Sequence, residues 1–317
     1  MVLVYSDDKR LGFELLAKGA DLAKEMGKRL TAAVIGGDET LANEYIHHGA
    51  ERVVIAETDL KQFKVEEYTE YLLEIIREIN AETVLIGSNK NGRELGPRLA
   101  ARLNTGCITD CTNLYIRDGR LTAERIVYSG NAVAVEQFSS KPQIVTVPAK
   151  MFDPLPKDEG RSGEIIKGKY DVPQFPSKIL SVEEMKGEGV NVEEAEIIVS
   201  CGRGFKNKED IKLAEALAEA LKGYTIGCSR PIAADLRWLP EDHWIGLSGH
   251  KVKPKLYIAC GISGQIQHIA GMRDSGIIVA INKDPEALIF KSADYGIVGD
   301  LYQVLPKLTQ AIKERMG

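Results

Sequence analysis

Long apolar runs are missing from this sequence, and no stretch approaches the roughly 20 residues that a membrane-spanning helix needs. The apolar segment at residues 1–5 meets charge within a few residues and is too short for the apolar core of a secretory signal. These absences predict a cytoplasmic protein without direct membrane insertion.

Blocks of one charge sign are also missing. The 41 basic and 46 acidic residues are mixed along the chain and give a formal net charge of −5. Because nucleic-acid surfaces concentrate Lys and Arg on one face, this distribution predicts no nucleic-acid partner.

Cysteine is scarce and unpaired in its spacing. The five cysteines include no C-x-x-C pair, and Cys107 and Cys111 have no His or further Cys nearby to complete a tetrahedral metal site. The sequence therefore predicts reduced thiols and no bound metal.

The sequence does contain two regions in which strand-like and helix-like segments alternate. A chain of 317 residues exceeds the usual size of one hydrophobic core, so we expect two domains. In the first region the periodicity predicts strands at residues 3–5, 31–35, 52–55 and 83–86, and helices at 13–26, 39–48, 65–79 and 93–103. The alternating segments 123–128 and 144–148 predict an antiparallel or mixed extension of a parallel sheet.

A proline- and glycine-rich charged stretch separates the two regions. Residues 152–178 contain few apolar anchors, and a second charged patch covers residues 183–196. We expect a connector at about 152–194 that runs over the surface of its neighbour. The predicted domains are residues 1–194 and 195–317.

The second region repeats the strand–helix alternation more regularly, with strands predicted at residues 197–200, 224–227, 256–260, 277–281 and 297–298. Helices are predicted at 211–221, with Gly223 as its C-terminal cap, at 265–272 and at 301–313. The predicted fold class is α/β, with two domains that each contain a mostly parallel sheet flanked by helices.

Glycine and polar residues follow each predicted strand of the second domain. They occur at residues 202–204, 229–230, 261–264, 282–285 and 299–300. Because the carboxyl ends of parallel strands meet at one edge, and open α/β sheets bind ligands there, these loops predict a ligand site.

The third loop is the most informative of these. Gly261 and Gly264 would let the backbone approach a ligand closely, and a helix that begins at Gln265 directs free N–H groups at a pyrophosphate. The usual dinucleotide fingerprint is absent, since residues 202–204 (GRG) lack the third glycine. A serine-hydrolase elbow around Ser263 is disfavoured because Gln265 stands in place of its second glycine.

The remaining polar residues suit a nucleotide with a redox ring. Asn282 and Asp300 could bond a ribose hydroxyl, whereas Asp284 is better read as a cap. Arg230 could offer a positive charge and His268 a ring N–H to a reduced flavin. The alternatives are a surface ion pair for Arg230 and a core position for His268.

These motifs resemble those of the α subunit in the electron transfer flavoprotein family. The resemblance rests on residues 256–259 (LYIA), 261–268 (GISGQIQH), 278–287 (IVAINKDPEA) and 293–300 (ADYGIVGD), and continues more weakly through 96–100 and 129–131. It implies a C-terminal Rossmann-like domain that binds FAD and a β subunit that completes a heterodimer. It also implies a transient redox partner, either a dehydrogenase or a quinone- or ferredoxin-linked protein.

The resemblance also implies which residues contact FAD. Ser263 to Gln265 would meet the pyrophosphate, Asn282 and Asp300 the adenosine end, and Arg230, Ser248 and His268 the isoalloxazine ring. The full implied set is Arg203, Ser229, Arg230, Ile245, Gly246, Leu247, Ser248, Ser263, Gly264, Gln265, Ile266, Gln267, His268, Asn282, Asp300 and Leu301.

The chain departs from the family pattern at residues 247–250 (LSGH), where many relatives have QTGK. Leu247 cannot make the polar contacts of a glutamine, so the flavin potential could be shifted. Two roles follow: a simple electron carrier, or a subunit of a bifurcating complex that divides electrons from NADH. The departure slightly favours the second. A nucleotide- or NAD-binding regulatory or dehydrogenase module is the alternative outside this family, because a sheet edge alone does not identify its ligand.

Overall fold

The computed structural model describes residues 1–128, 132–173, 175–182, 191–222 and 224–316. The chain divides into two compact units, Met1–Leu180 and Ser181–Gly317. The domain boundary expected between residues 194 and 195 lies near this division and stays a prediction. Two sequence features, Gly223 as a helix cap and the motif at 129–131, lie outside the described residues.

The first unit contains ten strands and four helices in the part of the chain that the structure describes. The helices are α1 (Lys9–Met26), α2 (Glu39–His47), α3 (Val65–Glu78) and α4 (Lys90–Arg102). The strands are β1 (Val2–Tyr5), β2 (Leu30–Ile35), β3 (Arg52–Ala56), β4 (Thr83–Gly87), β5 (Cys107–Ile108), β6 (Cys111–Arg117), β7 (Arg120–Val127), β8 (Ala132–Gln137), β9 (Gln143–Val147) and β10 (Glu164–Gly168).

Seven of these strands form one sheet in the order β10-β3-β2-β1-β4-β9-β5, and all its neighbours run parallel. Its central strands are buried on both faces: Val2 and Val4 pack into one apolar cluster, and Leu3 packs into the other. This double burial explains why the strands appear in the sequence as continuous apolar runs.

The extension after residue 106 differs in part from the expectation. Residues 123–127 do lie in an antiparallel sheet, β6-β7-β8, which is separate from the parallel one. The segment 144–148 instead forms β9, which pairs in parallel with β4 and β5. All five residues of β9 are buried, so its alternation of polar and apolar residues does not mark a solvent-exposed face.

The predicted connector contains a strand that sequence patterning missed. β10 pairs in parallel with β3 from Glu164↔Arg52 to Gly168↔Ala56 and forms an edge of the seven-stranded sheet. Gly163 allows this approach, because a Cβ there would lie 3.0 Å from the Glu51 carbonyl oxygen.

The second unit contains a five-stranded parallel sheet in the order β12-β11-β13-β14-β15. Its strands are β11 (Ile197–Cys201), β12 (Tyr224–Cys228), β13 (Leu256–Cys260), β14 (Ile277–Asn282) and β15 (Tyr295–Val298). Its helices are α5 (Lys212–Ala220), α6 (Ile266–Met272) and α7 (Leu301–Met316). The predicted α/β fold class is confirmed.

The strand order of the second unit defines a topological switch point, the place where open α/β sheets generally bind ligands. Chain connections leave β11 towards β12 on one side and reach β13 on the other, so the topological switch point lies between β11 and β13. The loops after these two strands, at residues 202–207 and 261–265, are the first and third loops of the candidate site. In the described part of the chain, no helix is both long and apolar enough to cross a membrane.

Candidate functional site

The first and third loops pack directly on each other at the switch point. The Gly202 amide donates to the Cys260 carbonyl at 2.9 Å, and the Gly204 amide donates to the Gly261 carbonyl at 3.0 Å. A Cβ on Gly204 would lie 2.7 Å from Gly261 Cα. The glycines therefore allow two backbones to touch, and the expectation that Gly261 also lets the backbone approach a ligand stays a prediction.

Gly264 has a comparable structural role. Its φ of +81° lies in the left-handed region, and a Cβ there would lie 2.2 Å from the Ile289 nitrogen. The Ile289 amide donates to the Ser263 carbonyl at 3.1 Å. The third loop is thus pressed against the segment that follows β14, so the missing Cβ of Gly264 also faces protein.

The loop at residues 244–250 docks on α6. The Leu247 amide donates to the Gln267 carbonyl at 2.7 Å, and a Cβ on Gly271 would lie 2.5 Å from the Gly246 nitrogen. At its start, the Ile245 amide donates to the Cys228 carbonyl at the end of β12. The structure therefore brings the predicted residues 245–248 beside the predicted residues 263–268.

His268 is the most buried charged or polar side chain in the predicted set, at 7% exposure. Its Nε2 lies 2.9 Å from the Tyr257 hydroxyl, and its Nδ1 is buried with no hydrogen-bond partner among the described residues. Burial lowers the pKa of His268 to about 4, although the main chain of Ile245 opposes this shift. The ring is therefore neutral at neutral pH and keeps one nitrogen available.

The two predicted arginines are exposed. Arg203 projects from the first loop and Arg230 from the end of β12, and neither has an ion-pair partner among the residues that the structure describes. The surface ion pair considered for Arg230 is therefore absent from the described part of the chain. Ser229 is 8% exposed, and its amide donates to the Cys201 carbonyl at 3.0 Å.

The other predicted residues differ in exposure. Leu301 is buried at the start of α7, and the amides of Ile266 and Gln267 open α6 without an intrahelical acceptor. The exposed side chains of the set, besides the arginines and Asp300, are Leu247, Ser248, Ser263, Gln265, Ile266 and Gln267.

Asn282 and Asp300 already have local partners. The Asn282 side chain donates to the Ile262 carbonyl at 2.9 Å and accepts from the Asp284 amide at 3.0 Å. Asp300 accepts from the Tyr302 amide at 3.0 Å and so caps α7. Asp284 accepts from the Glu286 amide within a turn, rather than at a helix start. A ligand role for Asn282 and Asp300 stays a prediction.

Sequence reasoning missed two residues that support the site. Tyr257 lies inside β13 and bonds His268, and Glu193 accepts from His250 Nδ1 at 2.9 Å. The sequence did contain a signal for Tyr257, because it lies between small and aliphatic residues of a buried strand, and a buried hydroxyl requires a hydrogen-bond partner. Glu193 gave no such signal, since it lies in a charged stretch.

Two family models match the chain. The electron transfer flavoprotein domain matches residues 3–172, and the electron transfer flavoprotein FAD-binding domain matches residues 191–273. Together they span most of the sequence. The chain belongs to the electron transfer flavoprotein family.

Several curated relatives are named as α subunits of electron transfer flavoproteins. The chain is 41% identical to the electron transfer flavoprotein subunit alpha of Thermoanaerobacterium thermosaccharolyticum, over 96% of this chain and 93% of the relative. It is 40% identical to the subunit of the same name from Bacillus subtilis, over 96% and 94% of the two chains. It is also 37% identical to the lactate dehydrogenase (NAD(+),ferredoxin) subunit LctC of Acetobacterium woodii, over 95% of this chain and 73% of the relative.

Proposed function

We propose that this α subunit binds FAD at the carboxyl edge of the second sheet and carries electrons between two other proteins. The proposal rests on one observation: predicted FAD-binding stretches from separate parts of the sequence come together at the same edge of the sheet. Residues 203, 229–230, 245–248, 263–268, 282 and 300–301 are far apart in sequence, yet all follow strands of the same parallel sheet or dock on α6.

The residues present fit FAD in three respects. The buried Nδ1 of His268 lacks a partner in the part of the chain that the structure describes, and a ligand atom could supply one. The guanidinium groups of Arg203 and Arg230 are exposed and not neutralised by an ion pair in the described structure. The free amides of Ile266 and Gln267 would favour an anionic group at the start of α6.

FAD, when bound, supplies a redox ring that accepts electrons from one protein and passes them to another. We assign Ser263 to Gln265 to the pyrophosphate, and Asn282 with Asp300 to the adenosine end. Arg230, Ser248 and His268 would lie along the ring: Arg230 as a fixed positive charge, Ser248 through its hydroxyl and His268 through a ring N–H. Leu247, 43% exposed, would leave an apolar side chain where many relatives have a glutamine.

The proposal also includes a permanent heterodimer of this chain with a β subunit, located in the cytoplasm. The exposed face of the antiparallel sheet in the first unit carries Ile126, Val133 and Val135, which are 40%, 58% and 55% exposed. Ile126 and Val133 are direct cross-strand neighbours. Grouped exposed apolar residues are typical of interaction surfaces, and we propose this face as part of the heterodimer contact.

Electrons would then pass between a dehydrogenase and an acceptor such as ferredoxin or a quinone oxidoreductase.

A bifurcating role is the second candidate. It is favoured by the similarity to the Acetobacterium woodii protein, whose name gives NAD(+) and ferredoxin together, and by the departure at residues 247–250. NADH titration of the heterodimer, followed by absorbance, separates the two roles. One FAD per heterodimer and no reduction by NADH would remove the bifurcating candidate.

The spectrum of the purified protein tests the proposal as a whole. The heterodimer should be yellow, with a flavin absorbance spectrum and FAD as the flavin released on denaturation. A colourless protein that cannot be reconstituted with FAD would overturn the proposal and favour an NAD- or nucleotide-binding module.

A further inference from the structure

Tyr257 is completely buried in the middle of the second sheet. It lies in β13 and packs in an apolar cluster that includes Ile245 and Met272. Its hydroxyl lies 2.9 Å from Nε2 of His268. A buried tyrosine hydroxyl needs a partner, and here the partner is a histidine of the candidate FAD site.

The charge state of His268 determines how the contact with Tyr257 affects the other ring nitrogen. Because burial lowers the pKa of His268 to about 4, the ring is neutral at neutral pH and carries one proton on one of its two nitrogens. The hydrogen bond at one nitrogen therefore decides what the other nitrogen can do. If Nε2 accepts, Nδ1 carries the proton and is a donor; if Nε2 donates, Nδ1 is a bare acceptor.

The surroundings of Tyr257 favour acceptance at Nε2. Burial raises the pKa of Tyr257 far above its usual value, so the hydroxyl keeps its proton, and the Ser200 hydroxyl partly offsets this shift, as a donor to the phenol oxygen would. Ser200 Oγ is itself buried and has no other partner among the described residues. If Tyr257 donates to Nε2, its proton is satisfied and only the Nδ1 proton is left over. In the reverse arrangement Nε2–H donates to the phenol oxygen and the Tyr257 proton turns to Ser200 Oγ, which leaves both the Ser200 proton and the Nδ1 lone pair unsatisfied.

We propose that Tyr257 is a positioning residue that holds His268 in the tautomer with its proton on Nδ1. The ring then presents an N–H donor, rather than a lone pair, to the electron-rich part of a reduced flavin. The part of this inference that concerns the flavin rests on the proposed function, whereas the tautomer is a property of the chain alone.

Nitrogen chemical shifts of histidine report the tautomer directly. The experiment uses the full chain with ¹⁵N-labelled histidine, stripped of FAD. His243 is an internal standard, because its Nδ1 lies 2.6 Å from the Ile226 carbonyl, which can only accept. In the parent chain His268 should show the same Nδ1–H pattern as His243. In Tyr257→Phe, His268 should move towards the Nε2–H pattern while His243 stays unchanged.

Tyr45→Phe is the matched control. Tyr45 is 2% exposed and its hydroxyl lies 3.5 Å from the Ser6 carbonyl in the first unit, so this variant also removes a buried hydroxyl. It should not change the His268 pattern. An Nε2–H pattern for His268 in the parent, or an unchanged pattern in Tyr257→Phe, would overturn the proposal.

The flavin midpoint potential is the second measurement. Loss of one charge-assisted donor should weaken binding of reduced relative to oxidised flavin about tenfold, which lowers a two-electron midpoint by about 30 mV. Tyr45→Phe should leave the potential unchanged. A tautomer change without a potential change would overturn the flavin-directed part of the proposal. A parent chain that takes up no FAD would refute the proposed function instead, and the tautomer measurement would still decide the role of Tyr257.

Discussion

The contact between the third loop and the segment after β14 makes a quantitative prediction for Gly264→Ala. The added Cβ would lie 2.2 Å from the Ile289 nitrogen and 2.5 Å from its Cα, and both atoms belong to the backbone. A flexible side chain could rotate away from such a methyl group, but a backbone segment has to move as a whole. We therefore expect this substitution to be among the more damaging single-methyl additions in the second unit.

The expected cost has two parts. A non-glycine residue in the left-handed region costs about 1–2 kcal/mol, and an overpacked methyl group adds about 1–3 kcal/mol. Gly27→Ala isolates the first part, because Gly27 has a φ of +62° and no described residue comes within 4 Å of its Cβ position. Gly264→Ala should therefore exceed Gly27→Ala by about 1–3 kcal/mol in the free energy of unfolding.

Urea denaturation of the flavin-free chain measures this difference. The two tryptophans of the chain, Trp238 and Trp244, both pack against the core of the second unit, so their fluorescence reports its unfolding. Far-UV circular dichroism follows both units. With a slope of about 2 kcal/mol per molar urea, the excess corresponds to a midpoint lower by about 1 M. If Gly264→Ala costs no more than Gly27→Ala, the described loop contact is refuted.

Three further predictions address the site and its partners. Arg230→Ala should lower the flavin midpoint potential by about 30–60 mV with an unchanged circular dichroism spectrum; an unchanged potential would show that the charge is directed elsewhere. The hydrogen bond that His250 donates to the Glu193 carboxylate raises the pKa of His250, so the stabilisation from this pair is full below the ordinary histidine pKa of 6.5 and is lost as pH rises through the folded value. Tryptophan-detected stability should accordingly fall with rising pH in the parent, and Glu193→Gln should remove that part of the dependence; an identical pH profile would refute the coupling. Val135→Asp should weaken association with the β subunit by more than about tenfold in a co-elution assay. The control Leu180→Asp changes a side chain that is 94% exposed and should not weaken this association. Equal association of both variants would exclude the proposed face.

Most strands of the second unit were predictable because they are short apolar runs with buried residues; β15 is the exception, since Tyr295 and Val298 are exposed and only its last two residues were predicted. β13 was predicted with the bounds that the structure has, and the other four differ by at most a few residues. β10 could not be found in the same way. It contributes only two isoleucines, and its pairing is with β3, more than a hundred residues earlier in the chain. Such long-range pairing leaves no periodic signal within a local window.

The candidate site shows the same limit. The rule that parallel strands place their loops at one edge gathered the loops at residues 202–204, 229–230, 261–264, 282–285 and 299–300, whereas residues 245–248 and 266–267 entered the candidate set only through the family resemblance. It could not show that Gly204 and Gly261 pack on each other, since glycine next to a ligand and glycine next to another backbone look alike in sequence. Nor could it connect Tyr257 to His268, because that contact depends on how α6 lies on the sheet.

Hydrogen–deuterium exchange with and without FAD is the most direct test of where the cofactor binds. The full chain should show FAD-dependent protection at residues 202–204, 229–230 and 245–268, including the amides of Ile266 and Gln267 that open α6. The corresponding edge of the first unit, at residues 6–8 and 88–91, should be unaffected. Protection at that first-unit edge, or no protection in the second unit, would contradict the account.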